Sequence, residues 1–245
     1  MFHAPAGLIA TSAHTAPPAR LSRPGTVAEA LRALGEAGAV AVAGGTDLCA
    51  RYNEGATPRL LVSLDRLEGL RGIEVADDAI RIGACVTHAQ GSGHAGLRAA
   101  LPGFSAAWAM IANPRVRFRG TIGGNLMAGR TRYEMPLLLA ALGARLCFEG
   151  PLLTQVEVPR RPGQRFLYMR GLRPQLTLAV HRHEGGGLAA IGTEHLSPVT
   201  IPLEDLGLET LPAAFADHGI SHWYARRAGA ALLRRALQAL DAGHG

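Results

Sequence analysis

Two glycine pairs constrain this chain more than any other feature: Gly44-Gly45 in "AVAGGTDL" and Gly123-Gly124 in "RGTIGGNL". Adjacent glycines let a backbone turn with positive φ and let another molecule approach its N–H groups with no Cβ in the way. At the end of a strand such a loop can cradle a phosphate. One pair alone is an ordinary turn signal. Two pairs ask for a common purpose, and the second follows Arg115, Arg117 and Arg119 in a stretch with no Asp or Glu between Asp78 and Glu134.

A third glycine cluster competes for the same reading. Gly91-Ser92-Gly93-His94-Ala95-Gly96 has the G-x-G-x-x-G spacing of a dinucleotide fold. That site needs an acidic residue about twenty positions on to hold the ribose hydroxyls, and none is present. The Rossmann reading is rejected, and these glycines are expected to form a flexible loop ahead of a helix from Phe104 to Ile111.

Bulk properties exclude several classes. The net charge is +6 and every basic residue is arginine. The arginines are scattered, the aromatic content of 5% leaves little to interleave with them, and no basic run or finger-like Cys/His spacing occurs, so nucleic acid is not the expected partner. Hydrophobic residues make up 48% of the chain without a run long enough to span a bilayer. A globular protein of the cytoplasm, with no transmembrane segment, is expected. Cys49, Cys85 and Cys147 form no CxxC pair and read as small buried hydrophobes, not as metal or cluster ligands. His181 and His183 alternate as on one strand face, with no third ligand in view, and are expected to be solvated. No Ser-His-Asp or Cys-His constellation is visible. The first 18 residues are Ala/Pro/Ser-rich without the basic start and apolar core of a secretory signal, and read as a flexible N-terminal arm.

Helix and strand signals alternate past the arm. Thr26 can cap a helix whose apolar positions are Val27, Ala30, Leu31 and Leu34, stopped by Gly35 and Gly38. "AVAVAGGTDL" reads as a strand entering the first glycine loop. "RLLVSLDRL", "GIEVADDAIRIGACVT" and "LTQVEVP" read as further strands, with a turn at Ala76-Asp77-Asp78. The class is α+β.

With these loops in place, the chain resembles the FAD-binding (medium) subunit of the molybdenum hydroxylases, the xanthine dehydrogenase and carbon monoxide dehydrogenase family. The resemblance rests on "AVAGGTDL" and "TIGGN", on "LVSLDRLEGLRGI", "IRIGACVTHAQ" and "IANPRVRFRG" around them, and on "LLTQVEVP", "FLYMRGLR" and "HWYARRAGAALLRRALQAL" in the second half. It implies an FAD-binding domain over residues 19–149 and a small α+β C-terminal flavoprotein domain over 150–245. By resemblance FAD would be held by Ala41, Val42, Ala43, Gly44, Gly45, Thr46, Asp47 and Leu48 on one side and by Thr121, Ile122, Gly123, Gly124 and Asn125 on the other. All four glycines are expected to offer N–H donors to the pyrophosphate. Ile111 would lie near the flavin ring, or serve as a core helix residue. Glu134 stands where the family has a cofactor-contacting aspartate, or it favours a helix N-terminus. The resemblance also implies a heterotrimer, in which a large subunit holds the molybdenum cofactor and a small subunit holds two-iron two-sulfur clusters.

Two departures from the family pattern are readable. "RLCFEGPLLTQVEVP" crosses to the second domain soon after Ala144, where the family carries a further segment, so elements covering the flavin ring are expected to be missing. Met169 or Arg170 stands near a family lysine. These departures favour an alternative, a degenerate structural subunit of the same complex that no longer binds FAD.

Overall fold

The computed structural model describes residues 19–170, 176–192, 197–206, 211–217, 220 and 222–243. The expected N-terminal arm lies outside them. Among the described residues no helix is long and apolar enough to cross a membrane.

The first layer contains β1 (Arg20–Ser22), α1 (Val27–Leu34), β2 (Ala39–Val42), α2 (Thr46–Asn53) and β3 (Leu60–Ser63). Its three strands pair in parallel in the order β1-β3-β2. Thr26 begins α1 through a reciprocal cap. Its Oγ1 accepts from the Glu29 N–H at 3.2 Å, while the Glu29 carboxylate accepts from the N–H groups of Gly25 and Thr26 at 2.8 and 3.3 Å. Ala30 on this helix packs with Leu60, Val62 and Leu152 in the core under the sheet. The strand expected to run into the first glycine pair ends at Val42. Gly45, at φ +73, turns the chain so that Thr46, Asp47 and Leu48 form the first turn of a helix.

The middle layer opens with β4 (Ile73–Val75) and β5 (Ala79–Gly83), joined at the turn expected over residues 76–78. Six short helices follow: α3 (His88–Gly93), α4 (Ala95–Ala100), α5 (Pro102–Ala109), α6 (Pro114–Arg119), α7 (Ile122–Met127) and α8 (Met135–Ala141). The hairpin of β6 (Arg145–Glu149) and β7 (Leu152–Pro159) completes an antiparallel sheet in the order β4-β5-β7-β6. The expected division at 149/150 therefore falls between two paired strands, and "LLTQVEVP" is an inner strand of the middle sheet. Its alternating burial identifies a strand; nothing in that pattern says which sheet it joins.

The expected flexible loop at 91–96 is corrected to two helices. Thr87 Oγ1 accepts from the Gln90 N–H at 3.2 Å and Gln90 Oε1 accepts from the Thr87 N–H at 3.0 Å, a second reciprocal cap that starts α3. His94 Nδ1 then accepts from the Leu97 N–H at 3.2 Å to start α4. The helix expected over 104–111 begins two residues earlier, with Pro102 in its first turn. "TIGGN" is also helical: Thr121 Oγ1 accepts from the Gly124 N–H at 3.1 Å and caps α7.

The last layer holds β8 (Arg165–Arg170), β9 (Thr177–His183), β10 (Gly186–Gly192), β11 (Val199–Pro202), α9 (Leu211–Asp217) and α10 (Trp223–Asp241). Its strands pair antiparallel in chain order. Successive residues face opposite sides of a strand, and both sides are covered here. Phe166, Ala179 and Ala190 pack with Phe104, Trp108 and Leu138 in the central core. Val180, Ile191 and Ile201 pack against Phe215, Leu233 and Leu240 from α9 and α10.

Two polar expectations are corrected by this packing. His181 lies on β9, is 3% exposed, and has a buried Nε2 with no hydrogen-bond partner among the described residues. Burial, aided by the charges of His183 and Arg161, pushes it down to about 4. Of the cysteines only Cys85 is buried, its thiol pushed up to about 11 by desolvation, whereas Cys49 is exposed on α2 and Cys147 is half-buried on β6.

Candidate functional site

A cavity of about 850 Å³ opens where the parallel sheet meets the helices of the middle layer. Its wall on the first side is Ala41, Val42, Ala43, Gly44, Gly45, Thr46, Asp47 and Leu48; Ile111, Thr121, Gly124, Asn125 and Glu134 line it elsewhere. The two glycine segments, distant in sequence, meet directly. A Cβ on Gly44 would lie 1.9 Å from the Arg119 carbonyl oxygen and 2.9 Å from Gly120 Cα. Only a glycine permits that approach.

The first segment supplies the donors. Gly45 precedes α2 without any side-chain cap, and Cys49 is the first residue whose N–H is returned to the helix, to the Gly45 carbonyl at 3.0 Å. The N–H groups of residues 44–48 have no hydrogen-bond partner among the described residues. An uncapped helix start concentrates unpaired N–H groups and a partial positive charge, which suits an anion.

The second segment is already committed, which corrects the expectation that all four glycines offer N–H groups. The N–H of Ile122 donates to the Val86 carbonyl and that of Gly123 to the Ala84 carbonyl, both at 2.9 Å, and that of Gly124 to Thr121 Oγ1. Ile122 is 0% exposed and belongs to the core. A Cβ on Gly123 would lie 2.7 Å from Ala84, so that glycine answers packing. Ile122 and Gly123 do not line the cavity. What this segment presents is Asn125, whose buried Oδ1 has no partner among the described residues. Its amide can show that oxygen to a donor or, turned by half a rotation, its NH2 group to an anion.

Charges around α2 are paired off. Asp47 accepts from Arg51 Nε at 2.6 Å, Arg130 Nε at 2.8 Å and Tyr133 Oη at 3.0 Å. Burial opposes its charge, but those three hydrogen bonds outweigh burial and hold its carboxyl below the ordinary range. Arg130 also grips both Glu54 oxygens, at 2.9 and 2.8 Å. Asp47 is thus a clamp between α2 and the segment after α7, and its charge does not oppose an anion nearby. On another wall, Arg117 Nη1 donates to the carbonyls of Ile111 and Ala112 at 3.1 and 2.8 Å. It holds Ala112 at φ +54, a left-handed conformation unusual for alanine.

Glu134 stands at the N-cap of α8, but its side chain neither caps the helix nor stands free. Its Oε1 accepts from Tyr168 Oη at 2.5 Å and Arg170 Nη1 at 3.1 Å, tying the start of α8 to β8. Arg170 lines the cavity, while Met169 packs toward the α10 core. Burial, with the Glu134 hydrogen bond, raises the Tyr168 hydroxyl above its usual range. Glu134→Ala strands a half-buried hydroxyl and an exposed arginine. A loss of about 1–3 kcal/mol is expected, measurable by urea unfolding.

Among the cavity residues with no counterpart in the expectations, His88 stands out. His88 starts α3, is 1% exposed, and lines the cavity. Its Nδ1 accepts from Trp108 Nε1 at 2.8 Å. Burial, with the charge of Arg117, pushes it down to about 4. Because His88 and His181 are held neutral while the unfolded chain takes up protons near pH 6.5, the unfolded state binds more protons between about pH 6.5 and 4. Stability is therefore full above that window and falls through it as the pH is lowered, on the order of 3 kcal/mol per histidine. Urea midpoints measured across this range check it.

An uncapped helix start beside a close glycine contact, on the edge of a parallel sheet in an α+β protein, is an arrangement suited to the phosphates of a nucleotide. Residues 17–160 match the model of the FAD binding domain in molybdopterin dehydrogenase, and the chain belongs to that family. It is 40% identical over 122 residues to the 6-hydroxypseudooxynicotine dehydrogenase complex subunit alpha of Paenarthrobacter nicotinovorans, covering 49% of this chain and 41% of that protein. It is 35% identical over 131 residues to the carbon monoxide dehydrogenase medium chain of Hydrogenophaga pseudoflava, covering 52% and 46%. The chain thus spans less than half the length of these curated relatives. A solved carbon monoxide dehydrogenase from H. pseudoflava shares the fold, with a TM-score of 0.77 at 24% identity over 91% of this chain and 97% of that one.

Proposed function

We propose that this chain is the FAD-binding electron-transfer subunit of a multi-subunit molybdenum hydroxylase of the cytoplasm. In this reading a large subunit holds the molybdenum cofactor, a small subunit holds two-iron two-sulfur clusters, and electrons leave through FAD to an external acceptor. When bound, the flavin can take electrons singly and deliver them in pairs. The observation that carries the reading is the run of unpaired N–H groups at residues 44–48 opening on the cavity. Those donors, with Thr46 and the Asn125 amide, suit a pyrophosphate, and Gly44 keeps the backbone close enough to present them. Ile111 and Ala112 offer an apolar wall held in place by Arg117.

A second reading, a bridging subunit that has lost FAD, is favoured by the internal use of the Gly123 and Gly124 N–H groups. The visible spectrum of the purified complex separates the two. A flavin double band in the near-ultraviolet and blue, released as FAD on denaturation, is expected; a complex whose medium subunit is colourless selects the bridging subunit.

A further inference from the structure

We propose that His88 is a cofactor-binding residue, donating its Nε2–H to a pyrophosphate oxygen of FAD; this rests on the FAD-binding reading above. The orientation of the ring is set from behind. An indole N–H only donates, so Trp108 Nε1 at 2.8 Å makes Nδ1 an acceptor and leaves the proton of the neutral ring on Nε2. Among the described residues nothing accepts from Nε2, although the residue is 1% exposed and lines the cavity. With no protein acceptor, that N–H is left free for one that a ligand brings into the cavity.

The position of the ring identifies the acceptor. The point where a Cβ would stand on Gly120 lies 3.3 Å from His88 Cδ2 and 3.3 Å from Thr46 Oγ1. Ring and hydroxyl thus flank the same spot at Gly120, which puts His88 in the neighbourhood of the first residue of α2, where the unpaired N–H groups gather. The His88 main chain is fixed there as well, its N–H donating to the Gly120 carbonyl at 2.9 Å. A second proton on Nδ1 would set two donors face to face at Trp108, so His88 serves as a neutral donor and not as a cation. His88 is thus anchored to the second glycine segment near the start of α2, and an anionic oxygen at that terminus is the acceptor this placement favours.

The test compares two ligands on the apo form of the full chain. Dissociation constants for FAD and for riboflavin, which has the ring without phosphates, are measured for wild type, His88→Phe and His88→Gln. His88→Phe is expected to lose roughly ten- to hundredfold in FAD affinity, to keep its riboflavin affinity, and to be substantially rescued by His88→Gln, whose amide can donate. Equal losses for both ligands, or an unchanged FAD constant in folded His88→Phe, overturn the inference. A wild type that binds no FAD overturns the parent reading with it. For variants that fold poorly, histidine ¹⁵N resonances of wild type decide: the His88 Nε2 signal should move with FAD and not with riboflavin, and an unmoved signal overturns the proposal.

Discussion

Gly44→Ala is expected to empty the cavity of flavin and to lower the unfolding temperature, a larger effect than the same change at any other cavity glycine. The added methyl would stand 1.9 Å from the Arg119 carbonyl oxygen and 2.6 Å from its carbon, so both partners are main chain and no rotamer change relieves the contact. The start of α2 must separate from the link between α6 and α7. Overpacking of this kind costs about 1–3 kcal/mol or more, and the displacement falls on the cavity-lining segment whose N–H groups have no partner among the described residues. Flavin affinity should drop by more than about a hundredfold, since several charge-assisted hydrogen bonds are misplaced together. Gly124→Ala is the control: its methyl would meet only Thr121 Oγ1, at 3.0 Å. Flavin content and melting temperature of the two variants check the contrast. Wild-type flavin content in a folded Gly44→Ala protein would show that the close approach has no part in binding.

That the glycine pairs occupy special backbone positions was legible in the sequence, but the division of labour between them was not. Sequence reports where a Cβ is missing; the fold reports whether the neighbouring N–H is free or whether the space is filled by another segment. At 44–45 the glycines serve approach and turning, and at Gly123 the glycine serves packing on Ala84. Local signals carried the α+β class, the Thr26 cap and the hairpin turn at 76–78 well, because each is decided within a few residues. A cap like that at Thr26 was readable at Thr87 and Gln90, where glycine content argued for a loop. Contacts between distant residues left no trace in the sequence: Asp47 with Arg130, Glu134 with Tyr168, and His88 with Trp108 are set by packing of separate elements. The sheet that β7 joins is of the same kind.

Gly91→Ala should have the second large effect, through a different route. Gly91 has no role in a dinucleotide loop; it makes room for Trp108. A Cβ there would stand 2.1 Å from the indole Cη2 and 2.3 Å from Cζ2. Trp108 is 0% exposed and is held by Phe104, whose ring centroid lies 5.4 Å away, with Phe104 in turn packed edge-on against Phe166 at 5.8 Å. The indole has no open side to move into, so the cost should reach about 3 kcal/mol, or roughly 6–12 °C in melting temperature for a chain of this size. Any indole shift also carries Nε1 away from His88 Nδ1, which frees the tautomer and the ring orientation. The double variant Gly91→Ala/Trp108→Leu separates these two consequences. Removing the indole should return part of the lost stability by relieving the clash, while flavin affinity stays low because His88 no longer has a donor behind it. Thermal melts and FAD titration of the single and double variants supply both readings. Recovery of stability and affinity together would mean that Trp108 supports the fold without orienting His88.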